Sequence, residues 1–355
     1  MKRFQLLWVA PTVLLFAAFL APVIVGSETF FLRDVMSVHA GLRAGLDAAD
    51  GTMPLVDPLR GGGQPAAGNP NLVALHPSAL LHRVLPFFAA FDAHLWLHLL
   101  AAPFALFWLA RELGLGRRGA WAAAVVWGFS GFVLSQAAFF NVVAAVATAP
   151  ALAAAAVGAT RRLAAGGAAG RHLAATGALT ALVLVAGDPV TAAAALVAAG
   201  ALAAAEGWAA GERRPAALGW TAAALACGAL LALPQIVELL RVLPASARGA
   251  GYGEAMRTAG SWDPRQAIEQ LLPLAFGRPD LLASDQQAGS FWGYRFHQGS
   301  WSFHFSLYPG LAAFALAAAA GRTWRLPGAL GRVGRRGWLL VAAGLFFALG
   351  AFNPL

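Results

Sequence analysis

The chain has 355 residues, of which 59% are hydrophobic and only 12% charged. This excludes a soluble domain and places the protein among polytopic membrane proteins. The net charge of +9 would suit a polyanion, but the arginines cluster in short turns between apolar runs. The excess therefore reads as membrane topology, and no nucleic-acid partner is expected. The single cysteine, Cys227, excludes a disulfide framework and reads as a small core residue.

In chain order, apolar runs between charge clusters give nine candidate spans, roughly 6–26, 86–110, 119–137, 140–159, 172–187, 190–207, 216–240, 305–321 and 337–353. The first follows Lys2-Arg3 as a signal peptide would. It is longer than a typical signal core and has no clear small-x-small cleavage site, so it reads as a retained helix. With the N-terminus in the cytoplasm, every cytoplasmic turn is arginine-rich, including Arg111, Arg117, Arg118, Arg161, Arg162, Arg213 and Arg214. The expected architecture is all-α. A single domain over 1–355 holds about nine transmembrane helices and two long extracytoplasmic loops, 27–85 and 241–304. These loops are expected to pack together and roof a cavity.

Within the first loop, Val35, Val38, Leu42, Leu46 and Ala49 recur at helical spacing, with His39, Arg43, Asp47 and Asp50 on another face. The spacing predicts an interfacial helix over 35–49. The Pro/Gly-rich chain after Gly51 predicts turns. Asp47, Asp50 and Asp57 read as solvated or turn residues. The second loop is aromatic and mixed in charge, with a helix expected over 263–275. Its Trp262, Trp292 and Trp301 read either as interfacial anchors or as sugar platforms.

Asp34 lies just past the first span. It can act as a general base toward a hydroxyl or hold a divalent cation, or it can be the N-cap of the following helix. Asp188, beside Pro189 between two spans, reads either as a cavity-lining acid or as an Asp-Pro turn. His94 and His98 share a helix face at i, i+4. Two ligands make a weak metal signal, and packed, hydrogen-bonded histidines are the simpler reading. Gln235 and Glu238 end the seventh span, and Arg248 and Arg257 follow. With Arg33, Arg60 and Arg295, these arginines suit a phosphate or pyrophosphate headgroup, or bulk anionic lipid. No P-loop, dinucleotide fingerprint, HExxH or G-x-S-x-G occurs, so an activated substrate is expected from the outer face or the membrane.

Several short stretches resemble the bacterial YfhO-like membrane proteins of the GT-C glycosyltransferase superfamily. They are Arg33-Asp34, Gly51-Thr52-Met53-Pro54-Leu55, Asp57-Pro58, Gly62-Gly63-Gln64-Pro65, Gly68-Asn69-Pro70-Asn71 and His76-Pro77. Further on come Arg111-Glu112-Leu113-Gly114, Gly128-Phe129-Ser130-Gly131, Asn141 with Pro150, and Gly187-Asp188-Pro189. Last are Leu233-Pro234-Gln235 through Glu238 to Arg248, and Tyr308-Pro309-Gly310-Leu311. The likeness runs along nearly the whole chain.

The resemblance implies a GT-C-like bundle in a bacterial cytoplasmic membrane. It implies a polyprenyl-phosphate-linked sugar as donor, and an extracytoplasmic glycan, lipid or protein as acceptor. It also implies an acidic base or metal ligand in the first loop, here Asp34, for which a divalent cation such as Mg2+ or Mn2+ is the candidate cofactor. The family's Gly-His-Pro turn is Gly-Asp-Pro here, so no histidine role carries over. Family members also continue beyond the position of residue 355, which implies a longer protein. A transporter or flippase, or a non-catalytic assembly factor for lipid-linked glycans, is the alternative.

Overall fold

The computed structural model describes residues 2–26, 28–30, 34–47, 56–57, 63–66, 68–246, 261–277 and 306–321, with single positions at 249, 251, 331, 334 and 337. The chain forms two compact units, 1–128 with 136–243, and 129–135 with 244–355.

The first unit is a helical bundle. Its elements are α1 (Lys2–Phe19), α2 (Ala40–Asp47), α3 (Phe87–Glu112), α4 (Arg117–Gly128), α5 (Phe140–Ala164), α6 (Gly170–Val185), α7 (Pro189–Gly207), α8 (Arg214–Leu231) and α9 (Leu233–Val242). A two-residue antiparallel ribbon pairs Val56–Asp57 with Gln64–Pro65. Among the described residues, five helical segments are long and apolar enough to cross a membrane: Phe87–Glu112, Arg117–Ala138, Phe140–Ala164, Pro189–Gly207 and Gly211–Leu231. Only helices satisfy their own backbone groups in lipid, so this is an all-α membrane protein.

The expected nine spans are realised in part. The run 172–187 is the 16-residue helix α6, short of the roughly 20 residues a straight crossing needs. The run 216–240 breaks at Ala232, because Pro234 opens a second helix and has no amide for the first. Gln235 and Glu238 therefore sit on α9 and do not end a span. The ninth run lies almost wholly outside the described residues. Cys227 faces outward from α8, not into the core.

Helix α5 is the axis of the bundle, with 83% of its membrane-length window buried. Its alanines pack against α3, α6, α7 and α8, and small residues let the helices approach closely. A Cβ on Gly228 of α8 would lie 2.3 Å from the Gly177 carbonyl of α6, and one on Gly128 would meet the Pro103 ring at 3.0 Å. Thr160 and Thr221 hydroxyls join α5 to α8 at 2.8 Å.

At one end of the bundle, Glu112 accepts from Arg162 at 3.2 Å and Trp108 at 3.3 Å, with His172 at 3.3 Å, while Arg161 pairs with Glu206 at 3.0 Å. The helices alternate between this arginine-rich end and the opposite end, where the turns around 139, 187 and 232 lie.

In the second unit, the Gly131 amide donates to the Tyr308 carbonyl at 2.7 Å, and Ser135 and Ser306 exchange bonds of 3.1 and 3.3 Å. The helix expected over 263–275 is a short 3-10 turn, Pro264–Ala267, and one α turn, Ile268–Leu271. Asp263 caps it from outside, accepting from the Arg265 amide at 2.9 Å.

Glu269 is buried, and desolvation pushes its carboxyl up to about 7 from 4.5. The folded state therefore holds its proton more tightly than the unfolded state. The stability this confers is full below about pH 4.5 and is lost as pH rises through about 7. Hydrogen exchange over 261–277, corrected for intrinsic rate, is expected to lose protection between pH 5 and 8 in the wild type. Glu269→Gln is expected to show no such slope.

Candidate functional site

The polar features of the first unit gather where α5 begins. The loop Gly68–Val73 is the piece that joins them. Asn69 caps its Pro70–Leu72 turn, accepting from the Asn71 amide at 3.1 Å. Leu72 and Ala66 pack on Leu42 of α2. The buried Arg43 guanidinium donates to the Leu72 and Ala79 carbonyls, each at 3.3 Å.

From α5, the Asn141 side-chain amide donates to Asn71 Oδ1 at 3.0 Å and to the Gly187 carbonyl at 3.1 Å. Gly187 has φ +92°, and a Cβ there would fall 1.9 Å from the Pro70 carbonyl oxygen. Only glycine meets both demands. On the other side, a Cβ on Gly68 would lie 2.6 Å from the Glu238 carbonyl oxygen of α9. One loop thus touches α2, α5, the Gly187-Asp188 turn and α9.

Asp34 opens the segment that leads into α2. The chain just before it is tethered to α3, where Asp92 Oδ1 accepts from Thr29 Oγ1 at 2.7 Å and from the Phe30 amide at 3.0 Å. Asp34 does not cap the helix with its side chain. Its own backbone is already helical (φ −68°, ψ −24°), and the helix starts with a π-wound turn, Val35–His39. Its charge instead reaches His39, whose Nδ1 donates to the Asn71 carbonyl at 3.2 Å. Burial lowers the pKa of His39, and the Asn71 bond and the Asp34 charge oppose that shift.

Asp188 caps α7, its Oδ2 accepting from the Thr191 amide at 3.0 Å. Gln235 is buried, and its Nε2 has no partner among the described residues. Glu238 pairs with Arg241 at 2.6 Å on the surface. Asp57, read as a solvated or turn residue, lies in the two-residue ribbon and is buried with its carboxylate against Gly45. Arg33, Arg248 and Arg257 lie outside the described residues, as do Trp292 and Trp301. The loop hub therefore gathers Asp34, Asp188 and the helix of Gln235 and Glu238 at one end of the bundle.

Beside them lies a histidine group that sequence spacing half revealed. His94 and His98 share a face of α3, and His76 joins them from the first loop. His76 caps the turn Pro77–Arg83 with Nδ1, which accepts from the Ser78 amide at 3.2 Å. Burial pushes its imidazole down to about 3, with the neighbouring His98 acting in the same direction. The missed signal was His76-Pro77 itself: a proline at the first helical position marks its predecessor as a cap, and caps sit where loops dock.

Ser78 Oγ lies 2.6 Å from His94 Nδ1, and His94 Nε2 bonds the Phe140 carbonyl at 2.7 Å. Phe140 also stacks on His94 at 3.8 Å. The cluster and the Asn141 hub thus share the first turn of α5. His76, Ser78 and His98 face an open groove of about 520 Å³, walled by Pro77, Leu80, Leu81, Val84, Leu97 and Ala101.

Comparison of the chain with family models, curated proteins and solved structures finds no match.

Two substitutions test the hub. Gly187→Ala forces a side chain into the left-handed region, at about 1–3 kcal/mol before its overlap with Pro70 is counted. Asn141→Leu leaves the buried Gly187 carbonyl and the half-buried Asn71 side chain without this donor, at about 1–3 kcal/mol for the buried group. Both are expected to lower the thermal midpoint in detergent and to expose 68–86 to protease. Unchanged cleavage there in both variants would refute the hub.

Proposed function

We propose that this protein is an integral-membrane glycosyltransferase of GT-C type, with its N-terminus in the cytoplasm of a bacterial cell. It moves a sugar from a polyprenyl-phosphate donor to an extracytoplasmic glycan, lipid or protein. The observation that supports this reading best is the placement of Asp34. It is an acidic residue whose side chain does not serve as the helix cap, held beside the loop hub at the end of the bundle where an apolar groove opens.

The chemistry asked of the site is modest. The acceptor hydroxyl oxygen forms a bond to the anomeric carbon, and the bond from that carbon to the phosphate oxygen breaks. The electron pair leaves on the phosphate, and the hydroxyl proton passes to the Asp34 carboxylate. Arg33, Arg248 and Arg257 are assigned to the phosphate, where planar guanidinium groups meet the developing charge. His39 holds the loop through the Asn71 carbonyl, and Asp188, at the start of α7, lines the cavity. A divalent cation at Asp34, Mg2+ or Mn2+, would supply further charge to the phosphate.

The second reading, a transporter or flippase for a lipid-linked glycan, draws on the groove beside the histidines. An apolar channel can hold a lipid chain without covalent chemistry.

Membranes carrying the protein and supplied with polyprenyl-phosphate-linked radiolabelled sugars distinguish the two. The wild type is expected to transfer label, and Asp34→Asn at matched expression to lose at least about 100-fold, the scale of a general base. Full transfer by Asp34→Asn would remove Asp34 from the chemistry. Movement of intact donor across proteoliposomes with no transfer would replace the enzyme by a flippase.

A further inference from the structure

The histidine cluster has a geometry that sugar transfer at Asp34 does not use. His94 and His98, one turn apart on α3, have ring centroids 4.4 Å apart, and the His76 ring lies 5.1 Å from His98. One nitrogen from each ring lies within 4.8 Å of the other two.

The hydrogen bonds decide which nitrogen each ring can offer. A carbonyl oxygen only accepts. His98 Nδ1 is 2.6 Å from the His94 carbonyl, so Nδ1 carries the proton and Nε2 keeps its lone pair. His94 Nε2 likewise donates to the Phe140 carbonyl, which leaves Nδ1 as the acceptor for the Ser78 hydroxyl.

That hydroxyl has one proton, and His94 takes it. The 2.7 Å contact between Ser78 Oγ and His76 Nδ1 is then a hydrogen bond when Nδ1–H donates, and His76 Nε2 is left with a lone pair. In the other tautomer, Nδ1 accepts from the Ser78 amide and Nε2 holds the proton. A metal ion at Nε2 selects the first tautomer. Two of the three rings thus already donate to backbone carbonyls, the outer hydrogen bond that orients a metal-bound histidine and raises its basicity.

We propose that His76, His94 and His98 bind a divalent transition-metal ion of the Zn2+ class, with one coordination position left open toward the apolar groove. Three imidazoles without a carboxylate suit Zn2+ and exclude Mg2+ or Mn2+ as the preferred ion. Bond lengths of about 2.0–2.1 Å put tetrahedral nitrogen ligands about 3.3 Å apart, so ring nitrogens that span up to 4.8 Å draw together by about 1.5 Å at most when the ion binds. The ion takes the place of the Ser78 hydroxyl on His94 Nδ1. Three protein ligands with a fourth position open is the pattern of sites that polarise a bound oxygen, not of closed structural sites. Leu80, Val84, Leu97 and Ala101 beside that position keep it in an apolar setting. This site is separate in ligands and in preferred ion from a cation at Asp34.

The test uses the full chain in detergent, without a histidine tag, and the metal alone as probe. After stripping with chelator, the wild type is expected to bind one Co2+ per chain with the intense visible absorption of a four-coordinate ion, and Zn2+ is expected to displace it. Mg2+ is expected to leave the spectrum unchanged. His98→Ala and His76→Ala are each expected to weaken binding at least about 100-fold, judged against the 10–100-fold that loss of an outer partner alone costs. His82→Ala, a neighbouring histidine outside the cluster, is expected to match the wild type. A weak six-coordinate Co2+ spectrum, binding well below one ion per chain, or equal affinity in His98→Ala would overturn the proposal. If the variants fail to fold, the wild-type spectrum and stoichiometry decide alone.

Discussion

A single side-chain nitrogen holds the polar end of this bundle together. Asn141 Nδ2 donates to Asn71, 70 residues earlier, and to Gly187, 46 residues later. The Gly187 acceptor is buried and the Asn71 acceptor is half-buried, so the bond to Gly187 is the costlier one to leave unmade. Once the first loop is docked on Asn141, Gly187 has to have no side chain, because Pro70 occupies the space. The turn that carries Asp188 and the loop that follows Asp34 are therefore positioned by the same contact.

The two ends of the bundle solve the same problem in different currencies. At the arginine-rich end, helices are joined by charge: Glu112 gathers Arg162, His172 and Trp108, and Glu206 holds Arg161. At the loop end, most joints are hydrogen bonds from Asn, His, Ser and Arg43 to backbone carbonyls and to one another, with Asp92 and Asp188 accepting from hydroxyl or backbone donors. These are directional, and at the histidines they fix ring orientation and tautomer.

Between these ends, the helices rely on small residues. The Gly177–Gly228 and Gly128–Pro103 approaches leave no room for a methyl group without movement. In lipid there is little hydrophobic drive between helices, so close packing and interhelical hydrogen bonds such as Thr160–Thr221 carry the association. That tight stem below gives the loop hub a rigid base, and the histidine cluster inherits it through Phe140.

An all-α membrane protein was legible in the sequence alone, because apolar runs of span length leave the backbone no other way to satisfy itself. The sequence also marked Asp188-Pro189 as a turn between spans and put His94 and His98 on one face, because proline geometry and helical period are local. It could not determine that α6 is short, that Pro234 sets Gln235 and Glu238 on a separate helix, or that Asp57 and Cys227 exchange the burial their residue types suggest. For Asp34 the sequence left open a base, a cation ligand or a helix cap, and the structure takes away the cap, because its backbone is already helical and its side chain makes no cap bond. Only the tertiary structure decided that His76 meets His94 and His98, and that Asn71, Asn141 and Gly187 share one set of hydrogen bonds. Those meetings depend on which loop docks over which helix end, and such long-range closure leaves no periodic trace in the chain.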